Sequence, residues 1–138
     1  MKHELGAIKR LTRNDVSWIS PQSKSHQAGI NLPLRSFKTM FTRLIQNQDQ
    51  NAPRHTFEVK WFTKCGQLVA DGRSQVVRYH SKNELRLVNI PKNRLAQHLE
   101  EGHYLFIRRD SDILHITIFD VDPSHLILEV ERALAPEK

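Results

Sequence analysis

Alternation of side-chain character in residues 113–119 constrains the fold more than any other feature of this sequence. Ile113, His115, Thr117 and Phe119 alternate with Leu114, Ile116 and Ile118. Successive side chains of a strand point to opposite faces, so this period of two predicts a β-strand. Residues 56–63 alternate in the same way. Further strands are predicted at 4–11, 28–32, 67–70, 75–79, 85–90, 104–108 and 126–130. Asp71-Gly72 is predicted to form a turn or bulge between the segments 67–70 and 75–79.

Two segments have helical spacing instead. The first begins at Pro33, a residue suited to a first helical turn, and repeats apolar side chains at Leu34, Phe37, Met40, Phe41 and Leu44. The second begins at Pro91, turns Leu95 and Leu99 inward and is predicted to stop at Gly102. The polar residues 12–25 are predicted to be a long loop. The chain is therefore expected to be one domain over residues 1–138, mainly β with two short helices, its seven or eight strands forming a pseudobarrel that removes sheet edges.

Composition favours an anionic partner and an intracellular setting. The 21 Lys and Arg residues outnumber the 15 Asp and Glu residues, for a formal charge of +6, which suits a nucleic acid. The single Cys65 cannot form an intrachain disulfide, and no signal peptide or long apolar run is evident. We expect a soluble protein of a reducing compartment, such as a bacterial cytoplasm, with no membrane partner and no cofactor.

Two polar segments precede short strands, and we name them the first arm (residues 24–31) and the second arm (residues 79–86). The first arm contains Ser25-His26-Gln27-Ala28-Gly29-Ile30, and the second contains Tyr79-His80-Ser81-Lys82-Asn83-Glu84-Leu85-Arg86. Both are dense in hydrogen-bond donors and acceptors. Two such arms on a barrel-like scaffold suggest a protein that recognises base edges.

The order of these residues resembles the N-terminal DNA-recognition domain of EcoRII-type restriction endonucleases. The resemblance covers Ile8-Lys9-Arg10-Leu11-Thr12-x-Asn14-Asp15, then Ser25-His26-Gln27-x-Gly29-Ile30-x-x-Pro33, and the second arm. It implies a pseudobarrel shared with the plant B-three transcription factors, with both arms gripping the major groove of double-stranded DNA. It further implies a non-catalytic effector module of a type IIE-like enzyme, covalently linked to a nuclease domain and reading a CCTGG or CCAGG site. The isolated domain is expected to be a monomer.

The resemblance and side-chain chemistry together give the candidate DNA contacts. His26 and Gln27 match the first arm of the family, and a glutamine amide can bond bidentately to adenine. Glu84 can accept from a cytosine amino group and Arg86 can fork onto guanine. The complete set of candidate contacts is Trp18, Lys24, Ser25, His26, Gln27, Asn31, Arg35, Arg78, His80, Ser81, Lys82, Asn83, Glu84 and Arg86. Lys9 and Arg13 flank the first arm as further cations for phosphates.

Two alternative functions stay open. A metal-dependent nuclease would need an acidic residue followed two positions later by lysine, and Glu58-x-Lys60 is the only triplet of this kind in the sequence. No metal-binding motif of His or Cys is evident. We therefore assign no metal ligand and no catalytic residue. A non-specific nucleic-acid-binding barrel would need exposed aromatic side chains for stacking. Aromatic residues make up 7% of the chain, and most are predicted to lie in the core.

Overall fold

A curled, seven-stranded sheet forms the body of the molecule. The computed structural model describes residues 5–19 and 29–125. The strands are β1 (Leu5–Arg10), β2 (Gly29–Asn31), β3 (Arg54–Thr63), β4 (Leu68–Tyr79), β5 (Glu84–Val88), β6 (Tyr104–Asp110) and β7 (Ile113–Phe119). The helices are α1 (Arg13–Val16), α2 (Leu34–Phe37), α3 (Thr42–Gln46) and α4 (Lys92–Leu95). The prediction of a mainly β pseudobarrel with short helices is thus confirmed, and its curled sheet forms a half-barrel.

The strand order in the sheet is β1-β6-β7-β3-β4-β5-β2. Neighbouring strands are antiparallel except β3 and β7, which run parallel. The sheet therefore joins two antiparallel groups, β1-β6-β7 and β3-β4-β5-β2, through one parallel pair. The strands β1 and β2 lie at the two ends of this order. In the chain, β1 precedes the first arm, and β2 forms the last three residues of that arm.

Strand β4 differs from its prediction because it is continuous. The sequence suggested two pieces separated by Asp71-Gly72, yet the strand crosses both residues, with Gly72 opposite Val59. Gly72 has a φ of 154°, a value that residues with a side chain rarely adopt, so glycine suits this position in the strand. The irregularity lies instead where Trp61 pairs with Ala70 and Phe62 with Leu68, which leaves Val69 as an extra residue.

The helices are shorter than their predicted spans. Apolar residues do recur at helical spacing after Pro33, but α2 ends at Phe37 and α3 begins only at Thr42, because Phe41 leaves the helical region with φ −123° and ψ 37°. Likewise α4 ends at Leu95, and Gly102 takes a positive φ of 87° beyond it. The predicted loop after Thr12 instead contains α1 and a 3-10 turn at Ser17–Ile19.

One apolar core fills the concave side of the sheet. Its largest fully buried side chains are Trp61, Phe37, Phe41 and Phe57, and Phe41 meets the edge of Phe57 with ring centroids 5.6 Å apart. Phe37 of α2 is buried in it, as are Met40 and Phe41 from the connection between α2 and α3. Leu44 and Ile45 of α3 are partly buried and pack against it. The strand predicted at 126–130 lies outside the described residues. None of the helices within residues 5–19 and 29–125 has the length and apolar content needed to cross a bilayer.

Candidate nucleic-acid interface

The second arm is a tight connection between β4 and β5. Tyr79 pairs with Glu84 at the last rung, and a 3-10 turn over His80–Lys82 fills the space between them. Asn83 closes the turn in the left-handed region, with φ 52° and ψ 45°, and its N–H donates to the His80 carbonyl at 3.2 Å. Asparagine tolerates this conformation better than most residues. The turn thus presents Ser81, Lys82 and Asn83 to solvent.

Arg78 supports the second arm from within the protein. Its side chain is buried, with 8% of the residue exposed. One guanidinium nitrogen, Nη2, donates to Asn83 Oδ1 at 2.8 Å, and Nη1 reaches the Glu84 carbonyl at 3.4 Å. In this conformation the guanidinium is engaged with the backbone and side chain of the arm, so it braces the turn.

His80 connects the second arm to the loop before β3. Its Nε2 lies 2.6 Å from the Asn47 carbonyl, and its backbone N–H donates to the Asn51 carbonyl at 3.2 Å. The neighbouring Arg78 N–H donates to the Pro53 carbonyl at 2.9 Å. These bonds fix the base of the arm, and the ring of His80 is only partly exposed.

Glu84 and Arg86 lie on the outer face of β5. Burial alternates along the strand, with Leu85 and Leu87 in the core and Glu84 and Arg86 partly exposed on the other side. Among the described residues neither forms an ion pair. Arg86 Nε is buried and lacks a hydrogen-bond partner in the described part of the chain. Lys82 lies over the Tyr79 ring, 5.9 Å from its centroid. The charges of this arm are therefore open to an external ligand.

The first arm falls largely outside the described residues. Lys24, Ser25, His26 and Gln27 belong to the segment 20–28, of which nothing structural is described. The residues on both sides of this segment are described. We therefore consider how the fold fixes its two ends.

Asp15 connects both flanks of the first arm. Its Oδ2 accepts from the Thr12 N–H at 2.8 Å and from Lys9 Nζ at 3.0 Å. Its Oδ1 accepts from the Asn31 N–H at 3.0 Å. The Lys9 and Asp15 side chains are only 5% and 2% exposed. Since Lys9 lies on β1 and Asn31 on β2, this buried carboxylate links the two strands at the ends of the sheet order.

The other predicted contacts of the first arm occupy different environments. Trp18 packs against the core, and its Nε1 donates to the Asp15 carbonyl at 2.7 Å. Asn31 is partly exposed, and Arg35 on α2 is exposed. Lys9, interpreted from the sequence as a phosphate contact, is instead buried against Asp15, so that interpretation is wrong.

Strand pairing brings the end of the first arm beside the second. Asn31 pairs with Arg86, and Gly29 pairs with Val88. A Cβ placed on Gly29 would lie 3.8 Å from Arg86 Nε, so the arginine side chain passes over this glycine. The fold therefore places Arg86 at the junction of the two arms.

Sequence reasoning missed Asp15 and Arg54. Asp15 had a detectable signal, since Thr12-x-x-Asp15 has the spacing of a helix capping box. Arg54 lies on the outer face in the same row as Arg86, because both pair with Val77. Its Nη1 reaches Gln75 Oε1 at 3.4 Å. Only the register of the sheet places this arginine near the second arm.

The groups relevant to catalysis are dispersed. Within residues 5–19 and 29–125, no three His, Cys, Asp or Glu side chains gather in a way that could hold a metal ion. Glu58 and Lys60 share the outer face of β3, opposite Arg73 and Asp71 respectively. His98 and His103 line a small cleft with Lys64 and Asp120.

Two shifted pKa values have clear physical causes. A hydrogen bond from Lys64 lowers the pKa of the Asp120 carboxyl, with Lys64 Nζ 3.2 Å from Oδ1. Burial lowers the pKa of Arg109. Arg109 donates to the Met40 carbonyl at 2.7 Å and lies over the Phe57 ring at 4.8 Å. The first contact links the residues that follow β3 and β7, and the second ties β6 to the connection between α2 and α3.

Comparison with protein-family models finds no match for this chain, and a search of curated proteins finds no relative.

Proposed function

We propose that this domain binds double-stranded DNA sequence-specifically, with the two arms in the major groove. The observation that carries the proposal is the second arm, a braced turn that holds Glu84 and Arg86 on the outer face of β5 without ion pairs among the described residues. A carboxylate on a DNA-facing surface is repelled by phosphates, so its useful partner is a base amino group. Glutamate accepts from cytosine N4, and arginine donates to guanine O6 and N7.

The arrangement of supporting side chains suits base recognition. Arg78 holds Asn83, and His80 ties the turn to the Asn47 carbonyl. These contacts lower the conformational entropy that the arm would lose on binding. We assign direct contacts to Ser81, Lys82, Asn83, Glu84 and Arg86, with Arg78 and His80 as supports.

The first arm completes the proposed interface. Ser25, His26 and Gln27 supply the second set of base contacts, Lys24 and Arg35 neutralise phosphates, and Asn31 lies beside Arg86 where the arms meet. Trp18 positions the arm through its bond to Asp15. We propose that the domain acts as the effector module of a type IIE-like restriction endonuclease in a bacterial cytoplasm, covalently linked to a nuclease domain. By resemblance, its site is CCTGG or CCAGG.

The test begins with selection of bound duplexes from a randomised pool, at two salt concentrations and without metal. Enrichment of one short site that persists at the higher salt is expected. Binding that vanishes with salt and enriches no site would indicate a non-specific barrel. Cleavage of the duplex once Mg²⁺ is added would support the nuclease alternative.

Substitutions then assign the base contacts. Glu84→Ala and Arg86→Ala should each lower preference for the enriched site by about 1–3 kcal/mol. Glu101→Ala and Arg94→Ala are matched controls, because both residues are exposed and lie on or near α4, away from the second arm. Equal losses on the selected site and on random DNA would contradict base recognition by these two side chains.

A further inference from the structure

Four aromatic side chains lie on the outer face of the sheet, on the side opposite the core. Phe106 pairs with Thr117, and Thr117 pairs with Phe62 across the next strand. Tyr104 and Phe119 form the neighbouring pair on the same face. We call Phe62, Tyr104, Phe106 and Phe119 the aromatic platform. All four are partly exposed, and among the described residues none belongs to the core cluster or packs against it.

The placement of these rings differs from the sequence prediction that most aromatic side chains lie in the core. Burial alternates along β6, where Leu105 and Ile107 are fully buried, so Tyr104 and Phe106 face outward. The same alternation holds along β7. Contiguous apolar surface of this kind in a folded domain marks a binding site. The aromatic platform is therefore a candidate site for a ligand that the arms do not contact.

Planar groups lie side by side across the platform. The Phe62 ring stacks on the His115 imidazole, with centroids 6.1 Å apart and planes 15° from parallel. The Arg108 guanidinium carbon lies 5.9 Å from the centroid of the Phe106 ring. Gly6 leaves room for that ring over β1, since a Cβ at this position would lie 3.0 Å from its Cε1 and 3.1 Å from its Cζ. Aromatic rings and guanidinium planes are the groups on which unpaired bases stack.

Positive charge borders the platform on two sides. The bordering side chains that can carry it are Arg10 on one side and Lys60, His115 and Arg108 on the other. In these described rungs the one carboxylate is that of Asp71, at the β4 end. A suitable ligand is therefore flat and apolar along its centre and anionic at its margins. A second copy of the same face would bring like charges together.

We propose that the aromatic platform binds single-stranded nucleic acid, with bases stacked on its rings and phosphates held by the bordering cations. Phe106 and Phe62 lie two strands apart, which is about 10 Å at the usual strand spacing. Sheet faces of this kind hold two or three bases. Every base has a π-face, so binding should tolerate many sequences. The platform lies on β3, β6 and β7, whereas the second arm joins β4 to β5, so the proposal is independent of duplex binding by the arms.

Fluorescence anisotropy of short labelled oligothymidylate and oligouridylate strands, titrated with the full chain, tests the proposal. Phe106→Leu keeps an apolar side chain but removes the ring, and it should weaken binding by about 5- to 150-fold. Phe106→Tyr keeps the stacking surface and is the matched control, which should bind as the original chain does. Tighter binding of one polymer would support the proposal and distinguish DNA from RNA. Equal binding by the leucine and tyrosine variants would overturn stacking on this ring.

The salt dependence of the same titration tests the bordering cations. For a single strand, the slope of log affinity against log salt changes by about 0.7 for each phosphate contact. Lys60→Gln should make the slope shallower by about that amount. Lys38→Gln is the control, because Lys38 is exposed at the end of α2, which packs on the concave side of the sheet. Equal slopes in the two variants would overturn the contact assigned to Lys60.

Variants of the second arm separate this site from the duplex interface. Glu84→Ala combined with Arg86→Ala should leave oligonucleotide binding unchanged, and Phe106→Leu should leave duplex selection unchanged, so each proposal can fail without the other. Loss of oligonucleotide binding in the arm variant, but not in Phe106→Leu, would overturn the platform. Absence of binding to either oligonucleotide would also overturn it. In that case, a dimer in sedimentation that Phe106→Leu abolishes would show that a second copy covers the rings instead.

Discussion

Replacement of Asp15 by alanine is the sharpest test of how the fold fixes the first arm. The substitution removes the acceptor of four donors, which are the Thr12 N–H, the Thr12 hydroxyl, Lys9 Nζ and the Asn31 N–H. The largest cost comes from Lys9, whose side chain is 5% exposed and would remain buried without a counter-charge. Removing one partner of a buried ion pair costs about 3–5 kcal/mol. We expect a loss of that size in the free energy of unfolding.

Urea denaturation monitored by tryptophan fluorescence measures this loss. With an m-value of about 2 kcal/mol/M, the midpoint should fall by roughly 1.5–2.5 M. Asp49→Ala is the control, because Asp49 is exposed in the loop after α3 and should shift stability by less than about 0.5 kcal/mol.

A second substitution separates the charge from the hydrogen bonds. Lys9→Met combined with Asp15→Ala removes the orphaned ammonium, so the double variant should be more stable than Asp15→Ala alone. The reasoning is refuted if Asp15→Ala costs less than about 1 kcal/mol, or if the double variant is the less stable of the two. Either result would mean that Lys9 reaches water without its partner.

Three further predictions follow from the described contacts. Arg78→Met should speed amide exchange of residues 80–84 in hydrogen-exchange mass spectrometry, because Asn83 loses the guanidinium that donates to it at 2.8 Å. Arg73→Met is the control, since Arg73 is exposed and its replacement should leave the exchange of these residues unchanged. Equal exchange rates in the two variants would show that Arg78 does not brace the turn. If six to eight phosphates are neutralised, log affinity for DNA should fall against log salt with a slope of about −5 to −7, and a slope near zero would argue against a phosphate-tracking surface. Lys64 lowers the pKa of Asp120. The contact between the two side chains therefore stabilises the fold at any pH above the ordinary carboxyl pKa, and this stabilisation is lost as the pH falls through the lowered pKa. Lys64→Ala should raise that pKa in an NMR titration, and an unchanged value would exclude the hydrogen bond as its cause.

The strands were largely predictable because alternation reports the two faces of a sheet directly. Residues 113–119 follow that rule along the whole strand. The continuous β4 was not predictable, since Asp71-Gly72 is a turn signal in isolation, and the pairing of both residues with β3 overrides it. The two helices after Pro33 share one apolar periodicity, so the break at Phe41, where φ is −123° and ψ is 37°, has no signal in that pattern.

The candidate site was predictable only in part. Composition of the second arm identified Glu84 and Arg86, and the structure leaves both on the outer face. Alternation along β4 could have shown that Arg78 faces inward with Val76, but a buried arginine is contrary to its usual preference. The pairing of Asn31 with Arg86 links residues far apart in sequence, so only the register of β2 on β5 reveals it.

The position of β1 in the sheet affects how the domain is made on the ribosome. Leu5 pairs with Arg109, about a hundred residues later in the chain. At about 5–20 residues per second, β1 waits roughly 5–20 s before its partner strand is synthesised. During that interval Lys9 also lacks the sheet that buries it. Lys9 and Arg10, which lie between Ile8 and Leu11, place two charges in the nascent β1 and so limit premature pairing between nascent chains.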